Sequence, residues 1–367
     1  MNTKYLFSLW VFVALLHNLL CAQYNEILVN RILDQRLIKQ NIETITQDKD
    51  GFLWFGSGNG LLRYDGHDIR IFKHEINNPN SLRNNRIRTT FTDSQGNLWI
   101  TTQGGGLSLF NPLREDFINY SPIDNETLQE NPESNNFDFW SLTEGQNNSL
   151  WISSFSGGGF YRFDKINKTF RKFITPMVGI KHYSETSIVL ETSNNELWVG
   201  TDESGIAVLD TLGNTLHRFF NDPENSKSIN SNSIKCIIED SKGRIWVGTR
   251  GGGLNLYEKK SRHFIRPKAL KQSTIAVFND IFSIYEDKSG NLWLATDDGL
   301  LIYNPETDSI LRHFYHEPFN DKSIATDRVR SIFKDVSGIV WIGNDGGGVH
   351  KLIERKRFFH AKVDPQK

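Results

Sequence analysis

The sequence predicts an all-β protein, a single seven-bladed β-propeller of four-stranded antiparallel blades that follows a cleaved signal peptide. One repeated phrase carries a tryptophan at intervals of 45, 52, 47, 48, 47 and 48 residues, and a fixed period of this length is typical of repeat architectures. Each copy also divides into four short strand-like runs separated by turns, without the apolar spacing that a helix needs. The seven tryptophans are Trp54, Trp99, Trp151, Trp198, Trp246, Trp293 and Trp341.

The first 22 residues have the composition of a secretory signal peptide. Lys4 precedes the apolar run "YLFSLWVFVALLHNLLCA", and Ala22 suits a small-residue cleavage site. No later segment of the sequence is apolar enough to span a bilayer, so we expect the mature chain to carry no membrane span. The formal net charge is only −1, which argues against nucleic acid as a partner because no basic stripe is present.

The fifth copy shows how one blade is built. Its strands are predicted at "SIKCIIED", "RIWVGT", "LNLYE" and "HFIRP", with tight turns at 240–243 and 250–253. The copies fill one domain, residues 23–367. Their cores lie at about 37–77, 82–122, 134–175, 181–221, 229–266, 276–316 and 324–360.

The repeated turn residues have a structural interpretation. In the D-x-x-G turns the aspartate caps its own turn and the glycine supplies a positive φ. "DKDG" at Asp48 is similar to part of a calcium loop, but no copy carries the later glutamate, so no metal is predicted. The glycine runs open no helix and give no phosphate site, so no cofactor is predicted. Each repeated tryptophan is expected to wedge between neighbouring blades.

Two segments compete to close the ring. Either the N-terminal run "ILVNRIL" supplies the outermost strand of the last blade, or the run "RFFHAKV" near the C-terminus does.

The candidate binding surface is the face on which the inner strands begin, here called the upper face. Its connecting segments are long and variable, whereas the D-x-x-G turns of the lower face are short and nearly uniform. Positions at the upper end of each second strand are Asn59, Gln103, Phe155, Asp202, Arg250, Asp297 and Asp345. Positions shortly before the inner strands are Gln40, Asn85, Asn232, Asn279 and Asp327, and Trp140 belongs to the irregular third copy. A ring of amides, carboxylates, one arginine and aromatic rings suits a sugar.

The stretch "ITQDKDGFLWFGSGNGLLRYDG" at residues 45–66, with its later variants such as "RIWVGTRGGGL", resembles the two-component regulator propeller repeat. The resemblance covers about residues 37–360. It implies a periplasmic sensor of glycan fragments from a hybrid two-component regulator. The family pattern continues into a second propeller, a membrane helix, a histidine kinase, a receiver and a DNA-binding module, and none of these is expected within this sequence.

The resemblance therefore implies an exported, periplasmic module that binds an oligosaccharide and has no catalytic residues. Its implied partners are the oligosaccharide and another periplasmic sensor domain or a membrane histidine kinase. Two alternatives stay open. Propellers also form polysaccharide lyases and glycosidases, for which Asp202, Asp297 and Asp345 could supply carboxylates. The chain could instead be a protein-docking scaffold or a truncated remnant of a sensor.

Overall fold

The computed structural model describes residues 24–122, 137–155, 159–174, 185–273 and 278–357. Within these ranges the chain forms seven antiparallel sheets of four strands each, which confirms the predicted seven-bladed β-propeller. The predicted signal peptide, residues 1–22, lies outside the described residues.

The strands of each blade follow one another along the chain. The first is β1 (Tyr24–Arg31), and blades one to three contain β2 (Ile42–Gln47), β3 (Leu53–Ser57), β4 (Gly60–Tyr64), β5 (Ile69–Phe72), β6 (Ile87–Thr92), β7 (Leu98–Thr102), β8 (Gly106–Asn111), β9 (Asp116–Tyr120), β10 (Phe139–Gly145), β11 (Ser149–Ser154), β12 (Gly159–Asp164) and β13 (Thr169–Phe173). Blades four and five contain β14 (Thr186–Glu191), β15 (Glu196–Thr201), β16 (Ile206–Asp210), β17 (Thr215–Phe219), β18 (Ile234–Glu239), β19 (Ile245–Thr249), β20 (Leu254–Glu258) and β21 (His263–Ile265). Blades six and seven contain β22 (Ile281–Glu286), β23 (Leu292–Thr296), β24 (Gly299–Asn304), β25 (Ser309–Phe314), β26 (Val329–Lys334), β27 (Val340–Asn344) and β28 (Gly348–Arg357).

The first strand of each blade lies nearest the axis of the ring. Neighbouring first strands contact each other there, for example through the hydroxyls of Thr44 on β2 and Thr90 on β6, 3.0 Å apart. Helix is nearly absent from the described part of the chain, where α1 (Lys268–Lys271) has four residues. No helix in that part is long and apolar enough to cross a membrane.

The N-terminal strand closes the ring. β1 pairs antiparallel with β28, with Tyr24 opposite Arg357 and Arg31 opposite His350, and so forms the outermost strand of blade seven. Of the two predicted closures, the N-terminal run "ILVNRIL" is therefore the one that the structure contains. A strand from one end of the chain completes a blade built by the other end, which covers an edge that would otherwise be exposed. The competing run "RFFHAKV" begins at Arg357, the last residue of β28, and the rest of it lies outside the described residues.

In the described part of the chain the core consists of seven clusters, each between two blades. Trp246 of blade five is buried together with Ile281, Leu292 and Leu294 of blade six. At the closing interface Trp341 of blade seven packs in the same way against blade one. The repeated tryptophans thus wedge between blades, as predicted.

The D-x-x-G turns are tied to these tryptophans. In blade five the Oδ1 atom of Asp240 accepts the backbone N–H groups of Lys242 and Arg244, and Gly243 has a φ of 73°. The Oδ2 atom of Asp240 accepts the indole N–H of Trp246 at 2.8 Å. The same indole–carboxylate bond, six residues apart, occurs in the pairs Asp48–Trp54, Asp93–Trp99, Asp287–Trp293 and Asp335–Trp341.

Candidate functional site

Every inner strand contains a β-bulge near its upper end. In blade five the pairing of β18 with β19 skips from Ile234 to Cys236, which leaves Lys235 out of the ladder. A bulge bends the strand and re-aims the extra side chain. The residues skipped in the seven inner strands are Glu43, Arg88, Trp140 with Ser141, Ser187, Lys235, Phe282 and Arg330.

These bulge residues meet in one cavity at the centre of the ring, here called the channel-mouth cavity. It has a volume of about 200 Å³. All the bulge residues line it, together with Thr89 on β6 and Arg250 on the turn between β19 and β20. Because each lining residue comes from the start of a rigid strand or from a tight turn, the site is held in place by the ring itself.

Two arginines of the cavity are fixed by carboxylates. Arg88 donates from Nε and Nη2 to the two carboxylate oxygens of Asp138, both at 3.2 Å. Arg330 donates from Nε and Nη2 to Oδ2 of Asp345, at 3.1 and 2.8 Å. Asp138 is 9% exposed. These carboxylates do not line the cavity themselves, so they hold the guanidinium groups from behind.

A third cation is held in the same manner. Lys235 donates to Oδ1 of Asp202, which also accepts the hydroxyl of Ser233 at 2.9 Å. Burial alone would raise the pKa of Asp202. The hydrogen bonds from Lys235 and Ser233 and the nearby charges of Lys235 and Arg250 more than offset this effect, so its pKa lies below the ordinary value. Asp202 is therefore a carboxylate that anchors cations.

Aromatic rings support two of the cations. The guanidinium of Arg88 lies 4.1 Å from the ring centre of Trp140, and Phe155 stacks on Trp140 with centroids 4.8 Å apart. Across the ring the guanidinium of Arg330 lies 4.2 Å from the centre of Phe282. Protein groups already pack on these rings, so a ligand would meet the guanidinium groups and the remaining ring surface.

Five of the sequence-predicted site residues belong to this arrangement. Trp140 and Arg250 line the cavity, whereas Phe155, Asp202 and Asp345 contact residues that do. Their roles in binding a ligand stay predictions.

Three predicted residues have a structural role in the links between blades. The side-chain oxygens of Asn85, Asn232 and Asp327 each accept a backbone N–H from the residue eleven positions upstream. Those donors are His74, Asn221 and His316, respectively. Each bond fixes the start of a link from an outer strand to the next blade. We therefore leave these residues out of the proposed site.

The other predicted residues also lie outside the set that lines the cavity in the described part of the chain. Asn59 is exposed and accepts from Lys73 at 3.4 Å. Asp297 accepts the backbone N–H of Asp280 at 3.3 Å, and partial desolvation of its carboxyl together with the charge of Asp280 raises its pKa. Backbone groups of Gln40 and Gln103 bond to neighbouring segments. Asn279 lines a separate cavity of about 250 Å³.

Sequence analysis missed most of the lining. Glu43, Arg88, Ser187, Lys235, Phe282 and Arg330 were not singled out, although they share one position in the repeat, directly after the first residue of each inner strand. That register was the available signal. It was not used because simple alternation along a strand does not reveal a bulge.

Comparison with known proteins identifies the class of these repeats. The sequence profile of the two-component regulator propeller matches residues 36–59, 81–104, 228–251 and 277–298. These segments are therefore two-component regulator propeller repeats, which confirms the recognition from sequence. Each contains an inner strand, its D-x-x-G turn and the second strand.

Relatives of the whole propeller are signalling proteins and more distant propellers. The chain is 27% identical over 291 residues to histidine kinase P4 of Formosa agariphila, covering 75% of this chain and 20% of that protein. The extracellular domain of a protein assigned as a hybrid two-component system of B. thetaiotaomicron has 26% identity and a TM-score of 0.74, over 91% of this chain and 43% of that one. Virginiamycin B lyase of Staphylococcus aureus, 14% identical with a TM-score of 0.64 over 90% of this chain and 99% of that one, shares the fold. The chain thus spans less than half of the two signalling relatives.

Proposed function

We propose that this chain is an exported sensor propeller that binds an oligosaccharide in the channel-mouth cavity and does not cleave it. The observation that carries the proposal is that the bulge residues of all seven blades line a single polar cavity. A bulge costs ladder pairing, and its repetition around the ring directs one position of every blade to the same place.

The similarity to extracytoplasmic domains supports the location and the class. The structural neighbour from B. thetaiotaomicron is an extracellular domain assigned to a hybrid two-component system, and the curated relative is a histidine kinase. A periplasmic location, with a membrane histidine kinase or another sensor domain as the partner that receives the signal, is the corresponding proposal for this chain.

The chemistry of the cavity supports a sugar as the ligand. Its lining combines guanidinium, ammonium and hydroxyl groups with the rings of Trp140 and Phe282. Sugar hydroxyls bind to such donors, and the C–H faces of a sugar pack on aromatic surface. Small-molecule sites usually measure about 300 to 1,000 Å³, so a cavity of about 200 Å³ fits one end of a chain better than a whole oligosaccharide.

Titration calorimetry with a panel of neutral and acidic oligosaccharides tests the proposal. Arg250→Ala should weaken binding by roughly ten- to a hundredfold, the effect of losing hydrogen bonds from a charged group. Lys242→Ala is the control, because Lys242 lies on an exposed lower-face turn and should leave binding unchanged. Absence of binding to every glycan would refute the sensor function. New reducing ends after incubation would favour the lyase or glycosidase alternative.

A further inference from the structure

The channel-mouth cavity contains many more hydrogen-bond donors than acceptors. Arg88 and Arg330 each donate from Nε and Nη2 to an aspartate, so Nη1 of each has no acceptor among the described residues. Lys235 has further donors besides the one given to Asp202. The exposed side chain of Arg250 has no hydrogen-bonded or ion-paired partner in the described part of the chain.

Acceptors are few in the same cavity. Glu43 is the one carboxylate among its described lining residues, because the aspartates that hold the cations lie behind them. Thr89 already donates its hydroxyl to the backbone oxygen of Trp140 at 2.8 Å. Ser187 lines the cavity, and its buried hydroxyl has no hydrogen-bond partner among the described residues. A ligand group in this place must therefore supply acceptors.

Three of the donor residues, Lys235, Arg250 and Ser187, form a cluster on one side of the ring. Lys235 and Ser187 lie on the neighbouring inner strands β18 and β14. Arg250 lies on the turn between β19 and β20, next to the start of β18, and its backbone N–H donates to the backbone oxygen of Ser233. Arg250 also lies close enough to Asp202, the anchor of Lys235, to affect its ionisation. Two cations thus lie at the cavity in one blade, beside the buried and unpartnered hydroxyl of Ser187 in the adjoining blade. This is the arrangement that binds a planar oxyanion.

We infer that the sugar in the channel-mouth cavity is acidic, a uronate whose carboxylate is bound by Arg250 and Lys235. This inference rests on the proposed oligosaccharide sensor and specifies its ligand. A neutral sugar brings a donor with every hydroxyl, and those donors would compete for Glu43. A carboxylate brings acceptors only, which matches the lining. Because the cavity is small, the uronate that it binds is one terminal residue of the glycan.

Matched ligand pairs test the inference. Di- to tetrasaccharides that end in glucuronate or galacturonate are titrated in parallel with the same glycans after reduction of the carboxyl to a primary alcohol. The acidic member should bind at least about tenfold more tightly, and added salt should reduce the difference. Equal or tighter binding of the reduced member would overturn the inference.

Arg250→Gln should remove most of the preference for the acidic member, again by roughly ten- to a hundredfold, without changing the melting midpoint. Arg262→Gln is the matched control, because Arg262 is an exposed arginine of the same blade on the lower-face turn between β20 and β21. Preference that survives Arg250→Gln would refute the assignment. If only uncharged glycans bind, the acidic-ligand inference fails and the sensor function stands. If no glycan of either kind binds, the sensor function fails as well.

Discussion

At the scale of single residues, one hydrogen bond joins two features that the sequence presents separately. The aspartate of a D-x-x-G turn was predicted to cap its turn and the tryptophan to fill the space between blades. Asp240 and Trp246 show that the same carboxylate does both, since its second oxygen accepts the indole N–H. A polar indole nitrogen is thereby satisfied inside an apolar interface.

Trp246→Ala should lower the free energy of unfolding by about 3 to 5 kcal/mol, the usual cost of truncating a large buried aromatic side chain. Trp246 is 1% exposed, and its loss also leaves Oδ2 of Asp240 without its indole donor. Urea unfolding measures the change. Phe220→Ala, at a side chain that is 63% exposed, should cost far less. A stable Trp246 variant that loses only ligand binding would contradict the structural role.

A buried lysine links blades two and three at the lower face. Nζ of Lys165 donates to Asp93 at 2.9 Å and to Glu144 at 2.8 Å, and its side chain is 4% exposed. Burial would raise the pKa of both carboxyls. Hydrogen bonds from Trp99, Asn97 and Lys165 to Asp93, and from Lys165 to Glu144, lower both pKa values below their ordinary range. Because both carboxyls bind protons less readily in the folded state than in the unfolded chain, they stabilise the fold above about pH 4. This stabilisation is lost as the pH falls further and the carboxyls become protonated.

Lys165→Met should therefore cost about 3 to 5 kcal/mol of unfolding free energy at pH 7, because two carboxylates lose their buried counter-charge. The difference from the wild type should shrink below about pH 4, where protonated carboxyls no longer need a cation. Denaturant unfolding at pH 7 and at lower pH measures both effects. Lys168→Met, at an exposed lysine of the same turn, is the control. A cost that does not change with pH would show that Lys165 acts by packing alone.

At the scale of strands, the sequence repeat made the strands and turns predictable but gave no sign of the β-bulges in the inner strands. Turns and strands were readable because Asp48 to Gly51 and its equivalents recur in register. The bulges were not readable, since Lys235 and Arg330 occupy positions that simple alternation assigns to the ladder. The candidate ring was therefore placed at the ends of the second strands. Ring closure was left open because two runs of similar composition lie near the chain ends, and only pairing partners distinguish them.

Removing the closing strand tests its contribution directly. A mature chain that begins at residue 32 loses β1, the buried Val29 side chain and the pairing of β28 with β1. Each kcal/mol lost lowers the melting midpoint by roughly 1 to 2 °C in a domain of this size, so we expect a decrease of several degrees. A chain that ends at Arg357 keeps β1 and β28 paired and should melt as the full chain does. An unchanged midpoint without β1 would exclude closure by this strand.

At the scale of the whole molecule, the ring joins seven interfaces into one structure. Linear repeat proteins contact only their sequence neighbours, whereas here blade seven packs on blade one through Trp341 and shares a sheet with the N-terminus. Each blade is held between two neighbours, so the seven bulges that line the channel-mouth cavity have fixed positions relative to one another. The geometry of the cavity therefore depends on closure of the ring, and closure depends on the pairing of β1 with β28.

Circular permutation separates these two effects. Tyr24 lies opposite Arg357, so a short linker can join these two residues. New ends can then be opened either within blade five or in the link that precedes it. Opening the chain between Lys242 and Gly243 leaves both new ends in one sheet, because β18 still pairs with β19. Opening it in the exposed link between Asn225 and Ser226 leaves blades four and five joined mainly by packing around Trp198. We expect the first permutant to melt close to the unpermuted chain and the second several degrees lower, by roughly 1 to 2 °C for each kcal/mol lost. Thermal unfolding followed by circular dichroism gives both midpoints. If the permutant opened between Lys242 and Gly243 melted lower than the one opened between Asn225 and Ser226, pairing of the new ends within one sheet would not control closure of the ring.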